Sequence, residues 1–282
     1  MFRSSRLRRI SVWAVVAFGG VGYALGVAVA IVLLSAPDAA SGAAAQAGTC
    51  ESVGLVTLGT TGLCTHGPDP APPGDDASVA DAAVFGAAAD SSLAVCTGNG
   101  TDGRRVQILY ARPSGAPSRL TEYLSSFQRW SAEASQIYTD SAAQTGGQRF
   151  IRFAHNSGCV IGVESVTLSA AAAADFNVMI NELTSMGYGS SSRKYLIFLD
   201  VTHPEYCGLG TVYPDDSPAT TNTNNSVKGY SVIFNGCWSS TRTIAHELGH
   251  NMGAVQSTAP NATTWSHCTD EWDIMCYADG SG

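Results

Sequence analysis

Charge is scarce in this chain of 282 residues, and basic charge is the scarcer kind. Only 13% of the residues are charged, and 15 basic residues stand against 23 acidic ones, for a formal net charge of −8. A protein that binds nucleic acid needs a basic surface, so this balance argues against nucleic acid as a partner. Four of the basic residues lie within residues 1–9, which sets the N-terminus apart from the rest.

The chain also lacks any C-x-x-C pair, which argues against a zinc–thiolate site. Its eight cysteines all lie beyond residue 49, and an even number of cysteines in an exported chain indicates disulfides. On proximity in the sequence, we predict the pairs Cys50–Cys64, Cys96–Cys159, Cys207–Cys237 and Cys268–Cys276.

Long apolar runs are absent except for one, residues 10–34, which contains no charge. As a helix it would be about 37 Å long, enough to cross a bilayer. We predict a signal anchor, with the basic tail 1–9 in the cytoplasm and the remainder outside, in a cell-membrane protein of a single pass. The alternative is a signal peptide cleaved near Ala47, which would give a secreted protein. Both alternatives export the rest of the chain.

Residues 35–90 are rich in Ala, Gly, Pro and Asp and have little apolar periodicity. This composition is typical of a linker, with a Cys50–Cys64 loop as its one ordered part. We favour a spacer that lifts the following domain off the membrane. The other interpretation is a short pro-segment that lends a carboxylate to a metal before activation.

Residues 91–282 have the pattern of an α/β (α+β) domain, a mixed twisted sheet with two packed helices and a third helix that carries the motif below. Helices are predicted from Leu120 to Ile137, from the cap Ser169 to Met186, and from the cap Ser239 or Ser240 onward. The predicted strands are Arg105–Ala111, Arg149–Phe153, Val160–Val166, Tyr195–Asp200 and Tyr230–Asn235.

The most informative motif is H-E-L-G-H at residues 246–250. His246 and His250 are four residues apart, so both imidazoles lie on one helix face and can bind one zinc ion. Glu247 is placed to act as general base on a zinc-activated water. The motif therefore predicts a zinc hydrolase that cleaves peptide bonds.

With these residues in view, the chain resembles the metzincin clan of zinc metallopeptidases. The clan motif is H-E-x-x-H-x-x-G-x-x-H, and Gly253 matches its glycine. Ile274-Met275-Cys276-Tyr277 resembles the clan's Met-turn, so the resemblance implies a small lower subdomain below the metal. It also makes Tyr277 a candidate for binding zinc or steadying the oxyanion, since certain members carry a tyrosine two residues after the methionine.

The sequence departs from the clan at Gln256, which stands where the third histidine is expected. A neutral amide is a poor third ligand for zinc. We predict His267 instead, because it has the right chemistry and a Cys268–Cys276 disulfide would hold it near the turn. Asp270, Asp273 and Gln256 itself remain alternatives. The other histidines, His66, His155 and His203, have no partner at ligand spacing and are interpreted as ordinary surface or core residues.

The leading hypothesis is therefore an extracytoplasmic zinc endopeptidase that acts on proteins or peptides. One alternative is a surface-binding module on a peptidase scaffold, favoured if Gln256 marks loss of the metal. The other is a zinc amidase that acts on cell-wall material. Nothing in the sequence indicates the oligomeric state.

Overall fold

The computed structural model describes residues 49–59, 61–69, 95–264, 267–270 and 273–276. The first two of these ranges form a small hairpin of strands β1 (Val56–Thr57) and β2 (Cys64–Thr65), which pair antiparallel. The hairpin is closed by the Cys50–Cys64 disulfide and packs on Val212 through Leu55. This segment is thus folded against the larger domain that follows.

The larger domain is built on one five-stranded sheet in the order β4-β3-β5-β7-β6. Its strands are β3 (Arg105–Pro113), β4 (Val163–Leu168), β5 (Arg193–Leu199), β6 (Gly208–Gly210) and β7 (Gly229–Phe234). In this order β4, β3, β5 and β7 pair in parallel, and β6 pairs antiparallel with β7 at the edge. The predicted mixed sheet is confirmed. A separate small pair, β8 (Ala262–Thr264) and β9 (His267–Cys268), follows near the C-terminus.

Helices cover both faces of the sheet. Helices α1 (Leu120–Ala143) and α4 (Thr241–Asn251) pack on one face, and α2 (Ala170–Ala174) with α3 (Phe176–Ser185) packs on the other. Side chains of the central strand β5 alternate between the two cores, with Phe198 on the α1 side and Ile197 on the α2 side. Burial on both faces explains why this strand reads as an unbroken apolar run.

The predicted helix from Ser169 to Met186 is two helices, because the chain leaves the helical conformation at Asp175. This residue has φ −139° and ψ 123°, and its carboxylate accepts a hydrogen bond from the Val178 N–H at 2.8 Å. Asp175 therefore acts as a new N-cap. The helix ends as predicted at Gly187, whose φ of +99° suits glycine.

Two strand predictions differ from the structure. Residues 149–153 form no strand, and only one bridge, from Val106 to Phe153, touches the sheet there. The strand predicted at 160–166 begins at Val163 instead. The edge strand β6 was not predicted, since a Gly-Leu-Gly sequence carries none of the β-branched or aromatic residues that mark a strand.

The four predicted disulfides are all present, as Cys50–Cys64, Cys96–Cys159, Cys207–Cys237 and Cys268–Cys276. Such a set points to an extracytoplasmic compartment. Among the helices in the described ranges, none combines the length and the apolar character that crossing a membrane requires. The predicted anchor at 10–34 lies outside those ranges.

Candidate metal centre and active site

Helix α4 carries the motif and is fixed firmly in the domain. The Ser240 hydroxyl caps it by accepting a hydrogen bond from the Thr243 N–H at 3.1 Å. From α1, the Tyr138 hydroxyl donates to the Ala245 carbonyl at 2.5 Å. From β7, the Ser231 hydroxyl donates to the Glu247 carbonyl at 2.9 Å. These hydrogen bonds fix the position of the motif relative to the sheet.

The two motif histidines are buried and their tautomers are fixed. His246 Nδ1 lies 2.7 Å from the Ile274 carbonyl and His250 Nδ1 lies 2.9 Å from the Ala254 carbonyl. A carbonyl only accepts, so each Nδ1 donates, and in the neutral form of each ring the lone pair is on Nε2. The two Nε2 atoms are 2.9 Å apart, near the spacing of about 3.3 Å for two nitrogens on one tetrahedral zinc. Facing lone pairs repel unless a cation lies between them, so this donor set fits a metal ion.

The structure brings His267 to the same point. Its ring centroid lies 5.6 Å from that of His246, and it is carried by the short strand β9. It belongs to a group of five side chains, each of which offers one atom that could bind a metal. These atoms all lie within 4.8 Å of one another. That group consists of His66, Asp69, His246, His250 and His267.

Asp69 joins these histidines through its carboxylate. One oxygen lies 3.1 Å from His246 Nε2 and 3.9 Å from His250 Nε2, and the other lies 3.1 Å from His267 Nε2. Its side chain is 1% exposed. The linker composition favours a spacer for the region that contains Asp69, whereas the structure places this carboxylate at the centre of the cluster.

His66 is a second residue from the same region. Its ring lies 4.0 Å from that of His250, and its Nε2 lies 3.4 Å from Asp69. The interpretation of His66 as an ordinary histidine is therefore wrong. Spacing in the sequence could not find it, because 180 residues separate it from His246 and only tertiary packing joins the two.

His155 and His203, by contrast, lie outside the cluster. His155 is buried and hydrogen-bonded to the backbone of Thr97 and Asn156. The His203 ring accepts hydrogen bonds from the N–H groups of Glu205 and Tyr206. Both contacts fit the structural roles that the sequence suggested.

The backbone of residues 64–69 runs along the outer edge of β6. The Val212 N–H donates to the Cys64 carbonyl at 2.9 Å, and the Cys207 N–H donates to the Asp69 carbonyl at 2.9 Å. The Asp69 N–H donates in return to the Gly208 carbonyl at 3.0 Å, in an antiparallel bridge. The segment thus occupies a sheet edge in the manner of an added strand.

Glu247 lies on the same side of the site and is fully buried. Burial first, and then the Asp69 carboxylate, raises its pKa well above the ordinary value. Strand β6 passes so close that a Cβ on Gly208 would strike the Glu247 side chain, and a Cβ on Gly210 would lie 2.7 Å from its Oε2. Glycine is required at both positions, which explains the unusual sequence of β6.

The predicted Met-turn lies beneath α4. Met275 is buried, and its sulfur contacts the helix so closely at Gly249 that no Cβ fits there. The Ile274 carbonyl accepts the hydrogen bond from His246 described above. The turn therefore positions a motif histidine as well as supporting the helix. Tyr277 lies outside the described residues.

The alternative third ligands make other contacts. The Gln256 amide donates to the Asp215 carbonyl at 2.7 Å and to the Gly253 carbonyl at 3.1 Å, which ties two loops together. Asp273 accepts a hydrogen bond from the Met275 N–H at 2.8 Å within the turn. Asp270 is exposed and lies outside the five-residue group.

Burial and neighbouring charges shift the pKa values of residues in the cluster. Burial alone would raise the pKa of Asp69, but its contacts with His246 and His267, together with nearby His66, hold it below its ordinary value. Burial lowers the pKa of His66 to about 4, against the opposing effect of Asp69. Burial and His66 also lower the pKa of His250. The lowered pKa values of His66 and His250 favour the neutral imidazole, which is the form that binds a metal.

A helix-borne histidine pair with a buried glutamate between them, above a buried methionine, fits the site of a metallopeptidase. Comparison with known families gives a partial match. Residues 132–255 are similar to the reprolysin-like metallopeptidases of family M12B. The match covers the motif through Gly253 and ends one residue before Gln256.

Three solved structures are similar to part of this chain. Wild-type OgpA from Akkermansia muciniphila is 13% identical with a TM-score of 0.37, over 58% of this chain and 52% of that one. Catalytically inactive OgpA in complex with an O-glycopeptide substrate is 11% identical (TM-score 0.36, 58% and 52%). Metalloproteinase-II from Bacteroides fragilis is 15% identical (TM-score 0.30, 63% and 48%). The chain thus spans about half the length of these structures. No curated protein matches it.

Proposed function

We propose that the protein is an extracytoplasmic zinc endopeptidase in which His246, His250 and His267 hold the metal. The observation that carries this proposal is the convergence of two tautomer-fixed Nε2 lone pairs 2.9 Å apart, with a third imidazole beside them. Three protein ligands with a further position for water are the usual set of a catalytic zinc. An N-terminal anchor at residues 10–34 would tether the enzyme to the cell membrane.

The catalytic roles follow from chemistry and position. Bound zinc supplies a Lewis acid that polarises the scissile carbonyl and acidifies water. Glu247, held by β6 and α4, accepts the proton from the attacking water and passes it to the leaving amine. Tyr277 is proposed, from the clan resemblance, to steady the oxyanion.

The test uses a mixed peptide library and purified cell-wall material as alternative substrates. The zinc-loaded protein should cleave the peptides, and a chelator should stop cleavage. Glu247→Gln should lower turnover by about 10²–10⁴-fold while the zinc content stays at one per chain. Glu133→Gln, an exposed change on α1, is the matched control. Cleavage of the cell-wall material alone would favour an amidase, and a zinc-free protein would favour a binding module.

We also propose that residues 50–69 keep the enzyme latent, with Asp69 as a removable ligand. The Asp69 carboxylate contacts His246 and His267 at the position that the reacting water needs. Its backbone lies along the edge of β6, and this contact closes the side of the site. Both cysteines of the Cys50–Cys64 disulfide lie within the segment, and the other three disulfides lie within residues 96–276. One cut between residues 70 and 94 would therefore leave no covalent link.

Asp69→Asn in the full chain tests this proposal. Loss of the charged ligand should raise peptide cleavage by about 10–100-fold, since a charge-assisted hydrogen bond contributes about 1.5–3 kcal/mol. Zinc content should stay the same. Asp140→Asn, an exposed change on α1, is the control and should have no effect. Unchanged cleavage with zinc retained would reject latency and leave the peptidase proposal standing, whereas loss of zinc would make Asp69 a permanent ligand.

A further inference from the structure

A basic pocket lies on the face of α4 that points away from the metal centre. Leu248 of α4 and Met252 at the C-terminal end of the helix line it, and they are two residues beyond His246 and His250 respectively. Two residues along a helix correspond to a turn of about 200°, so the pocket and the metal cluster lie on opposite sides of the helix. Its volume of about 160 Å³ would hold several waters or one small organic group.

Five of the residues that line this pocket are cationic. They are Arg104, Arg105, Arg152, Arg193 and Lys194, and no acidic residue is among the lining residues. Beyond residue 9 the chain has only 11 basic residues against 23 acidic ones. Nearly half of the basic residues in an acidic protein thus meet at one place. None of the five forms an ion pair with a carboxylate in the described part of the chain.

Two of the arginines are structural and contribute fixed charge. Arg105 is 3% exposed and donates to the carbonyls of Thr97, Asp102 and Phe153. Arg193 donates to the carbonyls of Thr101 and Gly103. Carbonyl partners satisfy the hydrogen bonds of a guanidinium but leave its positive charge uncompensated. The Asp102 carboxylate, in the loop before β3, only partly offsets the repulsion that Arg105 experiences from Arg152 and Arg193.

The remaining three cations use few of their N–H donors in hydrogen bonds with described residues. Arg104 is exposed at the rim and makes no hydrogen bond within the described ranges, and Arg152 makes one long contact with the Thr97 hydroxyl, at 3.4 Å. Lys194 uses one of its three N–H bonds on the Val227 carbonyl, at 2.9 Å. Burial and then Arg104 lower the pKa of Lys194 to about 8. A cation that is buried without a counter-charge is stabilised by any anion that enters.

The floor of the pocket is apolar. Val106, Ile151 and Leu248 are buried there, and Phe150 and Met252 at the rim are 38% and 44% exposed. An apolar floor beneath a ring of cations matches a ligand with an apolar body and a single anionic head. Arginine pairs with phosphate, sulfate and carboxylate groups through two parallel hydrogen bonds, which favours an oxyanion as that head.

We propose that this pocket binds a small organic oxyanion, with Arg104, Arg152 and Lys194 holding the charged head and Phe150 and Met252 covering the apolar body. The site is separate from the metal centre and does not depend on the proposed peptidase function. Binding would place a ligand against the rear of the catalytic helix.

Titration calorimetry with three probes tests the proposal on the full chain. Phenyl phosphate carries both features, inorganic phosphate carries the anion alone, and phenol carries the apolar body alone. Phenyl phosphate should bind at least about tenfold more tightly than either partial probe, since each feature contributes separately. Raising the salt concentration should weaken binding, because exposed charges are screened.

Arg104→Gln and Arg152→Gln should each weaken phenyl phosphate binding by about tenfold or more. Arg242→Gln, an exposed change on α4 away from the pocket, is the matched control and should leave binding unchanged. Because both pocket arginines are at the surface, these variants should fold normally, which a thermal unfolding curve will check. No detectable binding of phenyl phosphate, or equal affinity in the pocket variants and the control, would overturn the proposal.

Discussion

The two faces of helix α4 meet opposite surroundings. One face presents His246 and His250 to Asp69, a buried carboxylate from a distant part of the chain. The other face presents Leu248 to the apolar core and, with Met252, to a pocket ringed by cations. About half a helical turn thus separates a site that fits a metal cation from a pocket that fits an anion. The spacing of residues along α4 therefore determines which chemistry each side of the helix can support.

The largest effect is expected on the core-facing side. Leu248→Ala removes a side chain that is 1% exposed in the main core, and should lower the free energy of unfolding by about 2–5 kcal/mol. Met252→Ala, on the same side but 44% exposed, should cost less than about 1 kcal/mol. Urea unfolding measures both. Equal losses would show that Leu248 does not anchor the helix.

On the metal-facing side, His267→Ala should weaken zinc binding by about 100-fold or more, because a catalytic zinc rarely keeps its affinity with two protein ligands. Gln256→Ala should leave zinc affinity nearly unchanged, since its amide donates to the carbonyls of Asp215 and Gly253. Competition with a chromophoric chelator gives both affinities. If the two variants exchanged behaviour, Gln256 would be the ligand and His267 would not.

The contact between β6 and Glu247 gives a smaller expected effect. In Gly210→Ala the new Cβ would lie 2.7 Å from Glu247 Oε2, so we expect a loss of about 1–3 kcal/mol in unfolding free energy, together with reduced peptide cleavage. Gly162→Ala is the control, because its nearest atom would be 3.8 Å away. A Gly210→Ala protein with wild-type stability and activity would show that this approach is not tight.

The smallest effect should come from the start of the helix. Ser240→Ala removes the cap on the Thr243 N–H and should cost about 1 kcal/mol. Both faces of α4 should be affected alike, so zinc affinity and anion affinity should remain near their original values once folding is complete. Thermal unfolding combined with the two binding assays checks this. A selective loss on one face would mean that the cap controls more than helix stability.

Local features of this fold could be predicted because they depend on neighbours in the sequence. The α4 cap, the buried strand β5 and the stop at Gly187 each arise from a few adjacent residues and short-range hydrogen bonds. The disulfide pairs were also predicted, since each joins cysteines that are consecutive along the chain. The motif histidines were placed on one face for the same reason.

Features that depend on distant packing could not be predicted. Strand β6 is a Gly-Leu-Gly sequence whose glycines are needed only because Glu247 lies against them. His66 and Asp69 lie in a region of linker composition, and only the folded edge of β6 brings them to α4. The break at Asp175 reflects a competition between helix continuation and capping that periodicity does not show.

The central claim is that the histidines of α4 and β9 share one zinc ion with Asp69 in the uncleaved chain. X-ray absorption spectroscopy of the zinc-loaded full chain tests it most directly. We expect one zinc per chain, surrounded by three imidazole nitrogens and a carboxylate oxygen, with no sulfur. A chain that binds no zinc, or a zinc surrounded by fewer than three imidazoles, would contradict this account.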